Sequence, residues 1–354
     1  MTRIDKLREK LPARCDAALV MSEFNRQYLS GISSDIGFVL VTRKSAHLII
    51  DFRYIEVARK NSTGVEVILM EDTYRQLGEL LALEGIREVM IEEQTTLAAL
   101  ATLQKKLPTI AFSADKALSG ALLALRAVKE PIEIEKIKAA QKITDAAFAE
   151  ILGFIEPGMT ERRIAAELEY RMRLSGADGV AFPTICVTGS KTSLPHGEPG
   201  DKVVQKGDFL TMDFGAKKDG YCSDMTRTVA IGAVDDAQKH VYETVLRAQS
   251  ACIEGAKPGM TGVALDKIAR DIIDEAGFKG CFGHGLGHSL GLEIHEDPRA
   301  SVRSDDILQE NTIITIEPGV YLENKYGVRI ENMIRFTKDG CENLTNSPRE
   351  LILL

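Results

Sequence analysis

Six short apolar runs alternate with amphipathic stretches over the first third of the chain. "AALVMS", "IGFVLVT", "AHLIID", "VEVILM", "EVMIEE" and "IAFSAD" read as strands. "FRYIEVARKN", "TYRQLGELLALEG" and "TLAALATLQKKL" carry apolar residues at helical spacing, and several such runs close at Gly or Pro. This alternation predicts an α/β domain ending near residue 125. The opening "MTRIDKLREKLP" reads as a charged amphipathic helix. Further on, Ile134, Ile137, Ala140, Ile143 and Ala147 recur with helical period, and Pro131 suits a helix's first turn. The domain junction is placed just before this long helix, giving domains at 1–125 and 126–354.

The pattern after the long helix repeats itself. "IEPGMTERRIAAELEYRMRLSGA" and "AKPGMTGVALDKIARDIIDEAGF" share P-G-M-T, Pro157 to Pro258, at an offset of 101. Each copy opens an amphipathic run, with Thr160 and Thr261 as predicted N-caps. "FLTMDFGA" and "IITIEPGV" then match at 104, Asp213 to Glu317, and "GYCSD" and "GVRIE" at 107, Asp224 to Glu331. Three matched segments in one order predict two like halves packed about a pseudo-twofold axis, within an overall α+β architecture.

Composition adds limits. A length of 354 residues, 44% hydrophobic and 27% charged, suits two globular domains. The net charge is −8 with no basic block, which argues against a nucleic-acid surface. Six cysteines are dispersed without any C-x-x-C, and the N-terminus lacks an apolar signal segment. No apolar run approaches a membrane span. These features predict a soluble cytoplasmic protein whose cysteines act as small hydrophobes.

The chemistry is concentrated in "TMDFGAKKDGYCSDMTRT". Asp213 and Asp224 each interrupt a β-like run. Taking "KKDG" as the turn places the two directly opposite each other, where like charges repel and burial is costly. Either one carboxyl holds a proton or a cation lies between them. Glu317 and Glu331 repeat the arrangement about Asn324. Four carboxylates brought together by a pseudo-twofold axis call for about two divalent cations. Of only six histidines, His284, His288 and His295 fall in "GHGLGHSLGLEIHEDP", and His196 lies in "SLPHGEP". The glycines around His284 and His288 argue against a helical H-x-x-x-H zinc pair. Oxygen ligands with one imidazole suit Mn²⁺, Fe²⁺, Co²⁺ or Zn²⁺, and paired ions are a recurrent hydrolytic device.

At these residues the chain resembles the pita-bread metallopeptidases, a family that includes Xaa-Pro aminopeptidase, Xaa-Pro dipeptidase (prolidase) and methionine aminopeptidase. "LPHGEPGDKVVQKGDFLTMDFGAKKDGYCSDMTRT", "FGHGLGHSLGLEIHEDP", "TIEPGVY" and "GVRIEN" carry the resemblance in the second domain. "YLSGISSDIGFVLVT" and "IIDFRYIEVA" resemble a creatinase-type N-terminal domain. The resemblance implies a pita-bread fold and the metal ligands Asp213, Asp224, His288, Glu317 and Glu331, with Asp224 and Glu331 bridging two ions, Mn²⁺ first among the choices. It implies substrate contacts for His196 and His295, a non-ligand place for His284, a supporting place for Arg329 and a proton-shuttle role for Glu317. The implied reaction is hydrolysis of the Xaa-Pro bond at peptide N-termini, with a dipeptidase as the alternative, and the implied assembly is a homodimer. A non-catalytic binding protein on this fold is expected to lose ligand positions, and here all five are filled.

Overall fold

A computed structural model describes residues 1–13 and 15–354, which form two compact units, Met1–Arg126 and Ala127–Leu354. The N-terminal unit runs α1 (Arg3–Lys10), β1 (Ala17–Val20), α2 (Glu23–Ser30), β2 (Gly37–Thr42), β3 (Ala46–Ile50), α3 (Ile55–Asn61), β4 (Glu66–Leu69), α4 (Thr73–Leu83), β5 (Glu88–Ile91), α5 (Leu97–Lys106), β6 (Ala111–Ser113) and α6 (Lys116–Ala127). Every strand read from the apolar runs is present. Its six strands form one mixed sheet in the order β4-β3-β2-β1-β5-β6. Side chains such as Leu19, Leu40, Ile49, Val89 and Ile91 pack against Leu77 and Leu81 of α4 and Leu103 of α5. Thr2, Asp72 and Thr96 accept from backbone N–H groups at the starts of α1, α4 and α5, satisfying donors a helix leaves open. Helices α2 and α6 were not among the predicted elements. The first is short and polar, and its single buried face only becomes apparent once the sheet lies beneath it.

The C-terminal unit continues with α7 (Pro131–Ile151), α8 (Glu161–Leu174), β7 (Gly179–Val180), β8 (Ile185–Thr188), β9 (Phe209–Phe214), β10 (Ala216–Lys218), β11 (Tyr221–Cys222) and β12 (Met225–Ala230). Then come α9 (Asp236–Gly255), α10 (Gly262–Ile273), β13 (Gly287–Ser289), β14 (Glu296–Ala300), β15 (Ile313–Ile316), β16 (Gly319–Leu322), β17 (Tyr326–Arg329), β18 (Asn332–Phe336) and β19 (Cys341–Asn343). The repeat is visible down to single hydrogen bonds. Thr160 and Thr261 both cap their helices, accepting from Arg163 and Ala264 N–H. Gly158 and Gly259 both take positive φ, near 90°, and donate to Val204 and Leu308 carbonyls at 2.8 and 2.7 Å. Each half has its own core. In one, Phe148, Ile164 and Leu168 meet Leu210, Met212 and Phe214; in the other, Val245, Leu265 and Ala269 meet Ile314, Ile316 and Ile334.

Each half also contributes a long antiparallel ribbon that breaks in the middle. In the first, β9 pairs with β12 as far as Phe214↔Met225, and the same register resumes in β10 and β11. In the second, β15 and β18 pair as far as Ile316↔Asn332, and β16 and β17 resume at Gly319↔Arg329. Asp213 sits at the edge of the first break and Asp224 within it; Glu317 and Glu331 lie within the second. No helix among the described residues is long and apolar enough to cross a membrane.

Candidate metal centre

The ribbon register sets where the carboxylates point. Glu317 and Glu331 occupy opposed positions about Asn324, as the sequence predicts, because Ile316↔Asn332 and Gly319↔Arg329 bracket them symmetrically. The first ribbon corrects the expectation. Asp213 faces Thr226, not Asp224. The turn is Asp219-Gly220, both at positive φ (48° and 84°), the two-residue hairpin geometry that Asp-Gly favours. Asp224 therefore lies in the break, offset diagonally from Asp213. The two ribbons touch where Glu331 N–H donates to the Thr226 carbonyl at 3.1 Å.

His288 comes from β13. An added Cβ on Gly287 would lie 1.9 Å from the Thr315 carbonyl oxygen, so only glycine lets β13 approach β15 this closely. The Nδ1 of His288 lies 3.1 Å from the Ser289 carbonyl, an acceptor, so that nitrogen carries the proton. Nε2 then presents a lone pair, 3.6 Å from Asp224 Oδ2 and 3.4 Å from Glu317 Oε1. Asp224, His288 and Glu331 each offer a ligand atom, all within 4.8 Å of one another, and all three residues are buried. His284 stays outside this group. It lies in a loop, with Nδ1 on its neighbour's carbonyl and Nε2 2.9 Å from the Tyr321 hydroxyl. The ring of His295 stands 4.5 Å from that of His288. His196 is exposed on the loop after a short 3-10 turn at 189–193.

Arg329 ties the set together. It donates to Asp213 Oδ2 at 2.7 Å, Thr226 Oγ1 at 3.0 Å, the Tyr321 hydroxyl at 2.8 Å and the Pro195 carbonyl, next to His196, at 3.2 Å. Thr226 in turn donates to Glu331 Oε2 at 2.7 Å, and Thr315 to Glu317 Oε1 at 3.1 Å. Sequence reading missed Tyr321 and Thr226. Tyr321 is two residues from Gly319, the cross-strand partner of Arg329, so the alternation of β16 was the available signal.

The electrostatics follow from this crowding. Burial, then Glu331, Asp213 and Glu317, push the Asp224 carboxyl well above the ordinary carboxylate range. Burial, then Glu317 and Asp213, do the same to Glu331. Burial lifts Glu317 to about 8 against the opposing pull of Arg329. Burial, then His295, pushes His288 down to about 3, so its ring does not supply a proton to these oxygens. Oδ1 of Asp213 is buried with no hydrogen-bond partner. The site is thus a chamber of electron-pair donors facing one another, which fits a cation and not a fully paired polar core. The donor set, carboxylate oxygens with one imidazole nitrogen, suits divalent ions of the Mn²⁺–Zn²⁺ series.

Comparison with known proteins agrees with this chemistry. The profile of metallopeptidase family M24 matches residues 135–338, and that of the creatinase/prolidase N-terminal domain matches residues 3–128. The chain belongs to metallopeptidase family M24. It is 39% identical to a Xaa-Pro dipeptidase of Pyrococcus horikoshii, over 95% of this chain and 94% of that one. Among solved structures, a Xaa-Pro dipeptidase from Bacillus anthracis superposes with a TM-score of 0.95 at 39% identity, covering 99% of each chain. An X-Pro aminopeptidase from Thermotoga maritima superposes at 0.91 and 39% identity, covering 96% of this chain and 98% of that one. M24 membership makes the protein a metallohydrolase, with a creatinase-type N-terminal domain followed in the chain by a pita-bread catalytic domain.

Proposed function

We propose that this M24 protein is an aminopeptidase that hydrolyses the Xaa-Pro bond at peptide N-termini, with Asp213, Asp224, His288, Glu317 and Glu331 holding two divalent ions, Mn²⁺ first among them. One observation carries the reading: the lone pair of His288 Nε2 lies 3.6 Å from Asp224 Oδ2 and 3.4 Å from Glu317 Oε1, and Asp224, His288 and Glu331 each offer a ligand atom within 4.8 Å of the others. When bound, such ions supply Lewis acidity toward a carbonyl and a water. The protein's own groups do the rest. Glu317 moves a proton between the attacking water and the leaving nitrogen. His295, beside His288, donates to the developing oxyanion, and His196 holds the scissile amide. Arg329 offsets the excess negative charge and fixes Asp213. Proline specificity is supported by the N-terminal domain and by the names of the relatives. A homodimer and a cytoplasmic setting belong to the same reading, the latter supported by six unpaired cysteines.

A dipeptidase is the second reading, and Arg299 favours it. Along β14, Glu296, Pro298 and Ala300 are buried, while Asp297 and Arg299 point the other way, as does His295 just before. Arg299 is the cross-strand partner of His288, and its charge helps hold both His288 and His295 below the usual imidazole range, after burial. A cation there suits the free carboxylate of a bound dipeptide. Hydrolysis of Ala-Pro and Ala-Pro-Ala, each with Mn²⁺, Co²⁺ and Zn²⁺, by wild type and Asp224→Ala, tests both. Cleavage of the tripeptide supports the aminopeptidase and cleavage of Ala-Pro alone the dipeptidase. A wild type that binds no divalent ion and cleaves neither peptide sinks the proposal.

A further inference from the structure

The two halves of the catalytic domain each pin a histidine-bearing loop to a buried carboxylate on the second helix of that half. In the first half the carboxylate is Glu161, the first residue of α8, whose side chain is fully buried. Its Oε1 accepts from Thr188 N–H at 2.8 Å, and its Oε2 from Gly200 N–H at 2.9 Å and from Lys191 Nζ at 2.6 Å. Lys191 Nζ also donates to the Glu198 carbonyl at 2.7 Å. One carboxylate thereby holds both ends and the middle of the loop 188–200, and His196 is at its exposed tip. In the second half Asp266, on α10, accepts from Leu286 N–H at 3.0 Å and from Arg270 Nε at 2.8 Å. Arg270 then donates to the carbonyls of Phe282 and His284 at 2.8 and 2.9 Å.

A carboxylate taken wholly out of water is tolerated only when its oxygens meet good donors, and charge-assisted bonds are the strong ones. Glu161 spends all of these bonds on one loop, and none of them on the five candidate ligands. Elsewhere the loop is held by Arg329, which donates to the Pro195 carbonyl, by Gly327 N–H on Thr192 Oγ1 at 2.9 Å, and by Arg162 N–H on the Gly200 carbonyl at 3.0 Å. We propose that Glu161, with Lys191, is a positioning residue that sets where His196 reaches toward the substrate. The inference rests on the substrate contact assigned to His196 above.

The test uses the metal-loaded full chain. Glu161→Gln keeps the side chain's shape but turns an amide NH₂ on the loop's donors; Lys191→Met is the milder variant, leaving both backbone bonds in place. For both, amide exchange over 189–199 is expected to speed up by about tenfold or more, with metal uptake at the wild-type stoichiometry. On Ala-Pro-Ala, kcat/KM is expected to fall by roughly tenfold to a hundredfold, the range an ångström-scale misplacement produces. Lys191→Arg restores most of it. In a His196→Ala background, Glu161→Gln adds less than about twofold, because the two residues act as one. Wild-type loop exchange in both variants, full additivity with His196→Ala, or a fully active His196→Ala each overturns the proposal while leaving wild-type Xaa-Pro hydrolysis intact. A wild type inactive on every Xaa-Pro peptide instead overturns the function proposed above, and loop exchange in Lys191→Met still decides the clamp.

Discussion

Arg329 donates from Nη2 to Oδ2 of Asp213 at 2.7 Å and leaves Oδ1 of the same carboxylate buried without a partner. The guanidinium restrains the carboxylate through Oδ2 and leaves its other oxygen available as an electron-pair donor. Removing the guanidinium takes away a positive charge and this orientation at once. Arg329→Ala is expected to lower metal affinity or kcat/KM by about ten- to a hundredfold, the usual cost of losing a group that orients a ligand. Calorimetric metal titration with steady-state kinetics checks it, and wild-type values for both would remove Arg329 from the site.

Three crowded carboxyl groups held above their ordinary range, Asp224 and Glu331 buried and Glu317 largely so, make the metal-free centre a source of instability. Asp224→Asn removes one of the mutually repelling charges. The metal-free variant is expected to melt at or above the metal-free wild type. It should lose the gain that wild type shows with saturating Mn²⁺, which amounts to about 2.7 kcal/mol when the free ion is a hundred times its Kd. A variant that melts lower without metal and still gains fully with it contradicts the like-charge account.

Stability of the metal-free protein should fall as pH rises from about 6.5 to 8. Glu317 titrates near 8 in the folded state and at its ordinary 4.5 when unfolded, so over that range the folded chain keeps a proton the unfolded chain has lost. Asp224 and Glu331 act in the same direction. His284 and His288, pushed down by burial to about 4 and 3, work oppositely but only below their unfolded 6.5, where acid costs stability. Above about 7 the imidazole contribution fades and the carboxyl groups dominate, at about 1.4 kcal/mol per pH unit for each retained proton. Urea midpoints measured with chelator should decline across this range, and those with saturating Mn²⁺ should stay flat. A flat chelator series would argue against protonated carboxyl groups in the chamber.

Most of the fold was legible because it rests on local period. The six strands of the N-terminal unit, the long helix beginning at Pro131, and the Thr160 and Thr261 caps all follow from residues adjacent in sequence. The internal offsets exposed the twofold plan, and the second ribbon's register about Asn324 was correct. The first ribbon slipped because "KKDG" was centred between Lys218 and Asp219, although Asp-Gly at positive φ is the stronger turn signal. The supports of the site were less legible. Whether Glu161 meets Lys191, or Tyr321 meets His284, depends on segments brought together by tertiary packing, which no spacing along the chain encodes.

Tyr321 places one hydroxyl between His284 Nε2, at 2.9 Å, and Arg329 Nη1, at 2.8 Å. It is half-buried, and desolvation, opposed by Arg329, leaves its phenol raised to about 12, so it remains a neutral hydrogen-bonding group. Tyr321→Phe deletes the bridge and keeps the ring. Loss of about 1 kcal/mol in stability is expected, with a several-fold drop in kcat as Arg329 and His284 lose their common partner. Chemical denaturation and kinetics measured together check this, and an unchanged kcat would confine Tyr321 to packing.

Arg299 separates the two readings of substrate length. Its side chain leaves β14 on the face that carries His295 and is exposed, with Nε 3.3 Å from Asp297 Oδ1, a surface contact a bound carboxylate can replace. A dipeptide ends in a carboxylate one residue past the scissile bond; a tripeptide places an amide there and carries its charge one residue further. A charge-assisted contact of this kind is worth about 1.5–3 kcal/mol, so Arg299→Gln is expected to lower kcat/KM on Ala-Pro by roughly tenfold to a hundredfold, mostly through KM. The same variant should change Ala-Pro-Ala by less than about threefold. The ratio of the two substrates is the measurement, since it cancels any general disturbance of the metal centre. Equal losses on both peptides would mean that Arg299 serves the centre through its field on His288 and His295. A ratio that does not move, with wild-type rates throughout, would leave the aminopeptidase reading without its competitor's main support.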